Sequence, residues 1–331
     1  MEFSATAGTA GGSLKALFEV RDGDNLENFK GKVTKADSYS LTVENTSIDN
    51  IKSLNLPDKD GKITVNNISY SYDSWEAQVD AQGNIKSVTF NLSKDKAIAD
   101  PDRVVAEGYL LNAGSAINAR GIPYYMTQLN EFVRNFSEMF NQIESKGQNL
   151  NGDTPPTFFE AITNTAKVYD FSESAAYSKL PDGQTATINS SSNTYYRMTA
   201  ANFSVNKDVM NDVSLFATAT DYVKTDSCDI VDELKKLQSE KTVYRGDKAE
   251  SFLETIISNV SVDTEKAETY NKLYSNLEQT IANQRTSVSG VDEDEEALNL
   301  VKFQYSYNMA SKIISVMNQM LDKLINDTGV A

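Results

Sequence analysis

Residues 249 to 331 constrain the fold most, because they contain two long apolar repeats and no proline to interrupt a helix. In the first repeat, the steps between apolar residues alternate between three and four positions, the heptad spacing of a coiled-coil seam. This seam consists of Ala267, Tyr270, Tyr274, Leu277 and Ile281. The spacing predicts a long helix that packs along another helix.

The second repeat follows an acidic run at residues 292–296, which we interpret as a helix start because carboxylates suit the positive end of the helix dipole. From Leu298 to Leu324 apolar residues recur about every 3.7 positions, close to the period of a straight helix. The residues expected to bind a partner, named here the C-terminal stripe, are Leu298, Val301, Tyr305, Ile313, Val316, Met320, Leu321 and Leu324.

Such an amphipathic helix needs something against which to bury its apolar side. The partner could be the N-terminal part of the chain, another subunit or a membrane. The polar side offers only Lys302, Lys312 and Lys323 as cations, a poor set for an anionic membrane. A protein partner is therefore favoured, although a helical hairpin packed on its own domain fits the periodicity equally well.

Composition argues against several classes of function. A formal net charge of −16 disfavours a nucleic-acid surface, which requires clustered lysine and arginine. The sequence has one cysteine, Cys228, which excludes an internal disulfide and a cysteine-based zinc site. It has no histidine, which excludes Ser-His and Cys-His catalytic pairs. No apolar run approaches the roughly 18 to 20 residues of a membrane span. We predict no catalytic residue, cofactor or metal, and neither a nucleic-acid nor a membrane partner.

Alternating apolar residues predict β structure in the first two thirds of the sequence. Strands are expected at residues 39–43, 63–65, 70–79, 88–92, 185–188 and 195–203. Between the fourth and fifth strands, Gly121-Ile122-Pro123 begins a helix whose broad apolar face continues to about Ser145. The predicted fold class is therefore α+β and multidomain.

Segments 283–291, 294–304 and 312–315 resemble the C-terminus of the hook-associated protein 1 family, which joins the bacterial flagellar hook to the filament. A related pattern occurs across flagellar rod, hook and junction proteins. The run Arg-Thr-Ser-Val-Ser-Gly-Val at 285–291, and Gly-Gly-Ser-Leu-Lys-Ala-Leu at 11–17, narrow the resemblance to the junction family. Glu293 departs from the family pattern, which has an apolar residue there.

The resemblance implies an elongated helical-bundle or coiled-coil domain with inserted β domains. Residues 1–11 are interpreted as a flexible start added to a fragment that lacks the family's N-terminal helical region. The remaining divisions are helical-domain segments at 12–23 and 120–148, an inserted β domain at 24–119, a second β-containing domain at 150–203, a helical domain with the coiled-coil helix at 204–290, and a C-terminal assembly helix at 291–331.

By the same resemblance, the function is structural rather than enzymatic. The chain is expected outside the cell as an axial ring at the hook–filament junction, after type III export. Its implied partners are hook protein, the second junction protein (hook-associated protein 3), further copies of itself and an export chaperone at the C-terminal helix.

Two alternatives remain open at this stage. One is another axial protein, such as the hook protein or a distal rod protein. The other is a secreted surface protein whose β domain binds a glycan or host ligand, with Tyr70, Tyr72 and Trp75 stacking on a sugar. Aromatic residues in a small β domain more commonly form its core, which favours the structural interpretation.

Overall fold

The computed structural model describes residues 12–58, 60–114, 116–163, 165–174, 177, 179–223, 227–239 and 247–327. The predicted flexible start at 1–11 and the last residues of the assembly helix, 328–331, lie outside this set. The chain divides into two compact units, one ending at Ser258 and one beginning at Asn259. Helices and strands are both present, which confirms the mixed α and β class. The elongated coiled-coil arrangement stays a prediction.

Within the described residues, seven strands of the first unit form one antiparallel sheet in the order β3-β6-β1-β2-β5-β4-β8. Because β4 also pairs with β3, the first six strands close into a barrel. A separate two-stranded sheet joins β7 to β9. The strands are β1 Lys30–Asp37, β2 Ser40–Glu44, β3 Gly61–Val65, β4 Ile68–Val79, β5 Ile85–Leu92, β6 Leu110–Ala113, β7 Phe159–Ala161, β8 Ala186–Asn189 and β9 Phe203–Val205.

Alternate side chains of the strands fill the barrel. Along β4 the buried side chains are first Tyr70 and Tyr72, then Trp75, because a register shift after Tyr72 changes the phase of the alternation. The Tyr72 ring lies 5.1 Å from that of Phe90 on β5, measured between ring centres. These aromatic side chains are almost fully buried, as expected for a core rather than a sugar-stacking surface.

The four strands predicted between residues 39 and 92 are confirmed as β2 to β5. Tyr39 is an exception, because it lies in the turn before β2 and is exposed. The strand predicted at 195–203 is wrong except at its last residue. Tyr195–Arg197 forms a 3₁₀ turn, residues 198–202 belong to no strand, and β9 begins at Phe203. Strand β8, predicted in a second β-containing domain at 150–203, pairs with β4 and thus belongs to the barrel's sheet.

The first unit also contains helices α1 Ser13–Asp22, α2 Pro101–Ala106, α3 Ile122–Glu144, α4 Lys207–Asn211 and α5 Asp229–Ser239. Helix α1 ends at Gly23, where an added Cβ would lie 2.3 Å from the Glu19 carbonyl oxygen. The Gly121 amide donates to the Gly23 carbonyl at 3.0 Å, so both ends of the 24–119 segment lie together. This proximity is what the predicted insertion of a β domain requires.

Helix α3 connects the barrel to the other helices of the first unit. It is buried on a polar face as well as on its apolar face. Phe132 and Phe136 pack against neighbouring helices and β7, whereas polar side chains on another face are more deeply buried. Arg134, only 2% exposed, donates to the carbonyls of Met198, Lys52 and Leu54 at 2.7 to 3.0 Å. Its guanidinium also lies 4.5 Å from the centre of a tyrosine ring, that of Tyr196.

Two long helices follow, α6 Ala249–Ser289 and α7 Glu293–Asp327, as the repeats predict. Phe252 and Ile256 of α6 are buried in the first unit, packed against α3. The second unit comprises the rest of α6 and all of α7. None of the helices among the described residues is long and apolar enough to cross a membrane.

Candidate assembly surface

The C-terminal stripe lies along α7 with its side chains exposed. Exposure of the eight residues ranges from 42% for Val316 to 69% for Tyr305. Burial of such a side chain stabilises a complex by about 1.5–3 kcal/mol, so burial of all eight against a partner would contribute strongly to binding. The stripe can therefore serve as a surface for packing against another helix.

The predicted coiled-coil seam on α6 has the same character. Tyr270, Tyr274, Leu277 and Ile281 are 49 to 64% exposed, and Ala267 is exposed as well. The Tyr270 and Tyr274 rings are neighbours one helical turn apart, with 6.4 Å between their centres. The structure thus brings the seam residues together on one helix, and packing of this seam against a second helix stays a prediction.

The start of α7 is fixed by local hydrogen bonds and charge. The Asp292 carboxylate accepts hydrogen bonds from the backbone amides of Asp294, at 3.0 Å, and Glu295, at 3.4 Å. Four acidic side chains follow in the first turn, where they interact favourably with the helix dipole. The acidic run is therefore a helix start, as its position in the sequence indicates, and it leaves the stripe positioned on a well-defined helix.

The sequence patterns missed the polar groups that the fold buries around α3. Arg134 and Glu138 occupy the face away from the predicted apolar stripe of this helix, yet they are 2% and 4% exposed. Lys52 lies in the 3₁₀ turn at Ile51–Ser53, and its Nζ forms an ion pair with Oε2 of Glu138 at 2.7 Å. Only the tertiary fold brings these residues together, so no local pattern could have revealed them. Among the described residues, no three acidic or cysteine side chains are grouped as metal ligands.

Comparison with known proteins places the exposed helix in a flagellar context. Residues 282–327 match the family described as flagellar basal body rod FlgEFG protein C-terminal, and this range contains the whole C-terminal stripe. The class indicated by the helix is thus that of flagellar rod and hook proteins.

A particular relative extends the similarity beyond this helix. The chain is 24% identical over 215 residues to flagellar hook-associated protein 1 of Bacillus subtilis (strain 168). The alignment covers 63% of this chain and 36% of the relative, so the chain spans little more than a third of that protein's length. Together the two similarities support a structural component of the flagellum that is related to hook proteins.

Proposed function

We propose that the chain is an axial protein of the hook–filament junction and that it assembles through the C-terminal stripe. The observation that carries the proposal is the exposure of this row of large apolar side chains on α7. Its coincidence with the segment similar to flagellar rod proteins supports an assembly role for the surface. In this proposal the protein is structural and has no enzymatic activity.

The proposed partners follow from the similarity to a hook-associated protein. Hook protein lies on one side of the ring, hook-associated protein 3 lies on the other, and copies of the chain surround the axis. Before assembly, an export chaperone covers the C-terminal stripe in a groove, since an amphipathic helix can bury its apolar face in this way. The chain then leaves the cell by type III export and acts in the extracellular flagellum.

Hydrogen exchange tests this mechanism on the full chain, alone and with the cognate export chaperone. We expect amides of α7 to exchange rapidly in the free chain, because isolated helices without packed faces are marginally stable. Addition of the chaperone is expected to protect the stripe, and the barrel amides of β4 and β5 serve as an internal control. Strong protection of α7 in the free monomer, unchanged by chaperone, would contradict the assembly mechanism.

A second candidate is a distal rod or hook protein, which the family match at residues 282–327 favours equally. Direct binding separates the two proposals. A junction protein is expected to bind both purified hook protein and hook-associated protein 3, whereas a distal rod or hook protein is not expected to bind hook-associated protein 3. The glycan-binding alternative loses its support, because Trp75 and Tyr72 are fully buried in the barrel and Tyr70 is 6% exposed.

A further inference from the structure

A polar pocket of about 460 Å³ lies in the first unit, and none of its lining residues belongs to the C-terminal stripe. It is bordered by α3, by β7 and by the loop at residues 168–174. Three carboxylates line it, those of Glu138, Glu160 and Asp170. Two of them have partners: Glu138 pairs with Lys52 and accepts from Gln142, and Asp170 accepts from the backbone amide and hydroxyl of Ser172.

Glu160 differs from the other two carboxylates. It is only 5% exposed, yet no described residue donates a hydrogen bond to its carboxylate and no described lysine or arginine nitrogen lies within 4 Å of it. Burial raises the pKa of Glu160, the charge of Asp208 raises it further, and Lys207 partly offsets both. Its oxygens are not among the fully shielded side-chain atoms that lack a partner, so the carboxylate reaches the pocket and is available to a cationic group.

The strand geometry explains why Glu160 faces the pocket. Phe159 and Ala161, its neighbours on β7, pack in the apolar cluster beside α3. Successive side chains of a strand point to opposite faces, so Glu160 points away from that cluster. Pairing of β7 with β9 holds the strand in this register, with Glu160 opposite Ser204.

We propose that this pocket binds the side chain of a lysine or arginine carried by a partner protein. The cationic head would supply the donors that Glu160 lacks, with Asp170 adding negative charge at the rim. Val168, 55% exposed, and the half-buried Phe171 provide apolar surface for the methylene stem. Tyr169 also lines the pocket, but its ring is already in contact with the Arg197 guanidinium, 4.1 Å from the ring centre. We therefore do not assign this ring to the methylene stem.

Two other occupants fit the pocket less well. A bare metal ion requires several converging ligands, and the described residues contain no such group. A second copy of the chain, such as a neighbour in the proposed ring, is a poorer source of the cation, since it carries 31 lysine and arginine residues against 47 acidic ones. The partner is therefore expected to be a more basic protein. This inference is independent of the C-terminal stripe and does not require the proposed junction function.

The test uses the peptide acetyl-Ala-Lys-Ala-amide as a probe and follows backbone amide resonances of the full chain by NMR. We expect saturable shifts at β7, β9 and the 168–174 loop, and none with the same peptide acetylated on the lysine Nζ. Glu160→Gln is expected to weaken binding roughly tenfold, since loss of one charge-assisted contact changes affinity on that scale. Asp95→Asn, which removes the same charge from an exposed site on the barrel, should leave the affinity unchanged.

Other outcomes would overturn the proposal. Equal shifts with the two peptides, or unchanged affinity in Glu160→Gln, would exclude recognition of the cation by this carboxylate. If Glu160→Gln fails to fold, Asp170→Asn provides the measurement, with a smaller loss of affinity expected at the rim. Much tighter binding of putrescine than of the lysine peptide would identify a free diamine as the ligand and exclude the protein partner.

Discussion

Arg134 shows at the scale of one residue how the barrel is fixed to helix α3. Its guanidinium donates to three backbone carbonyls that belong to two separate segments, residues 52–54 and Met198. Buried carbonyl groups that lose their donors retain the full cost of their desolvation. A single side chain therefore determines how three parts of the chain pack.

Replacement of this side chain tests its contribution. Arg134→Ala is expected to lower the free energy of unfolding by about 3 kcal/mol or more, measured by urea denaturation. Arg134→Lys should recover only part of this loss, because an ammonium group cannot reproduce the planar set of donors. Arg103→Ala, which removes an exposed arginine from α2, should leave the denaturation midpoint unchanged. Equal midpoints for Arg134→Ala and Arg103→Ala would contradict this interpretation.

Glu144, at the end of α3, makes the stability of the first unit depend on pH. The residue is 1% exposed, and burial raises its pKa to about 7, with the backbone amide of Ala217 partly opposing the shift. A carboxyl group whose pKa is higher in the folded than in the unfolded state binds more protons when folded. Its stabilising contribution is therefore complete below pH 4.5 and is lost as the pH rises through about 7.

The raised pKa of Glu144 predicts that the first unit becomes less stable as the pH rises. Between pH 5 and pH 8 the free energy of unfolding should fall by roughly 2 kcal/mol because of this group, and Glu144→Gln should remove that part of the slope. The reference is Glu19→Gln, a change of the same type at a more exposed position of α1. An identical pH slope in the wild type and in Glu144→Gln would show that Glu144 does not titrate in this range.

At the scale of elements, sequence periodicity predicted what depends on local pattern and missed what depends on tertiary contact. Helices α6 and α7 follow from long repeats, and β2 to β5 follow from alternation. Strand β1 gave no signal, because its deeply buried positions are Gly31 and Val33 among lysines. The pocket at Glu160 was also missed, since it forms only when β7, α3 and the 168–174 loop meet.

Helix α7 offers a direct test of the C-terminal stripe as an element. Val316→Asp places a charge on the stripe, and Ser315→Asp places the same charge on a neighbouring exposed position of the same helix. Both variants should retain the helical circular dichroism of the wild type. Val316→Asp is expected to weaken binding to the chaperone and to assembly partners at least tenfold, because a buried unpaired charge is costly. Equal effects of the two substitutions would argue against binding through the stripe.

At the scale of the whole molecule, the division at residue 258 separates two kinds of stability. The first unit has a closed barrel and buried clusters, whereas the large apolar side chains from Val260 to Ile325 are all at least 42% exposed. Helices that bury little apolar surface open locally at low cost in free energy. We therefore expect the second unit of the free chain to open far more often than the barrel.

Limited proteolysis with trypsin measures this difference within one sample. Cleavage is expected first at Lys266, Lys272, Arg285 and the lysines of α7, leaving a stable fragment that retains the barrel. Lys35 on β1 and Lys86 on β5 are also exposed, so they control for accessibility of the side chain alone. Because a protease needs several residues of extended backbone, these barrel sites should survive until the first unit unfolds globally. Cleavage of Lys35 and Lys86 as fast as Lys302 would show that the two units do not differ in local stability.

Protection of α7 only after a partner is added would link the low stability of the second unit directly to the binding surface that it carries.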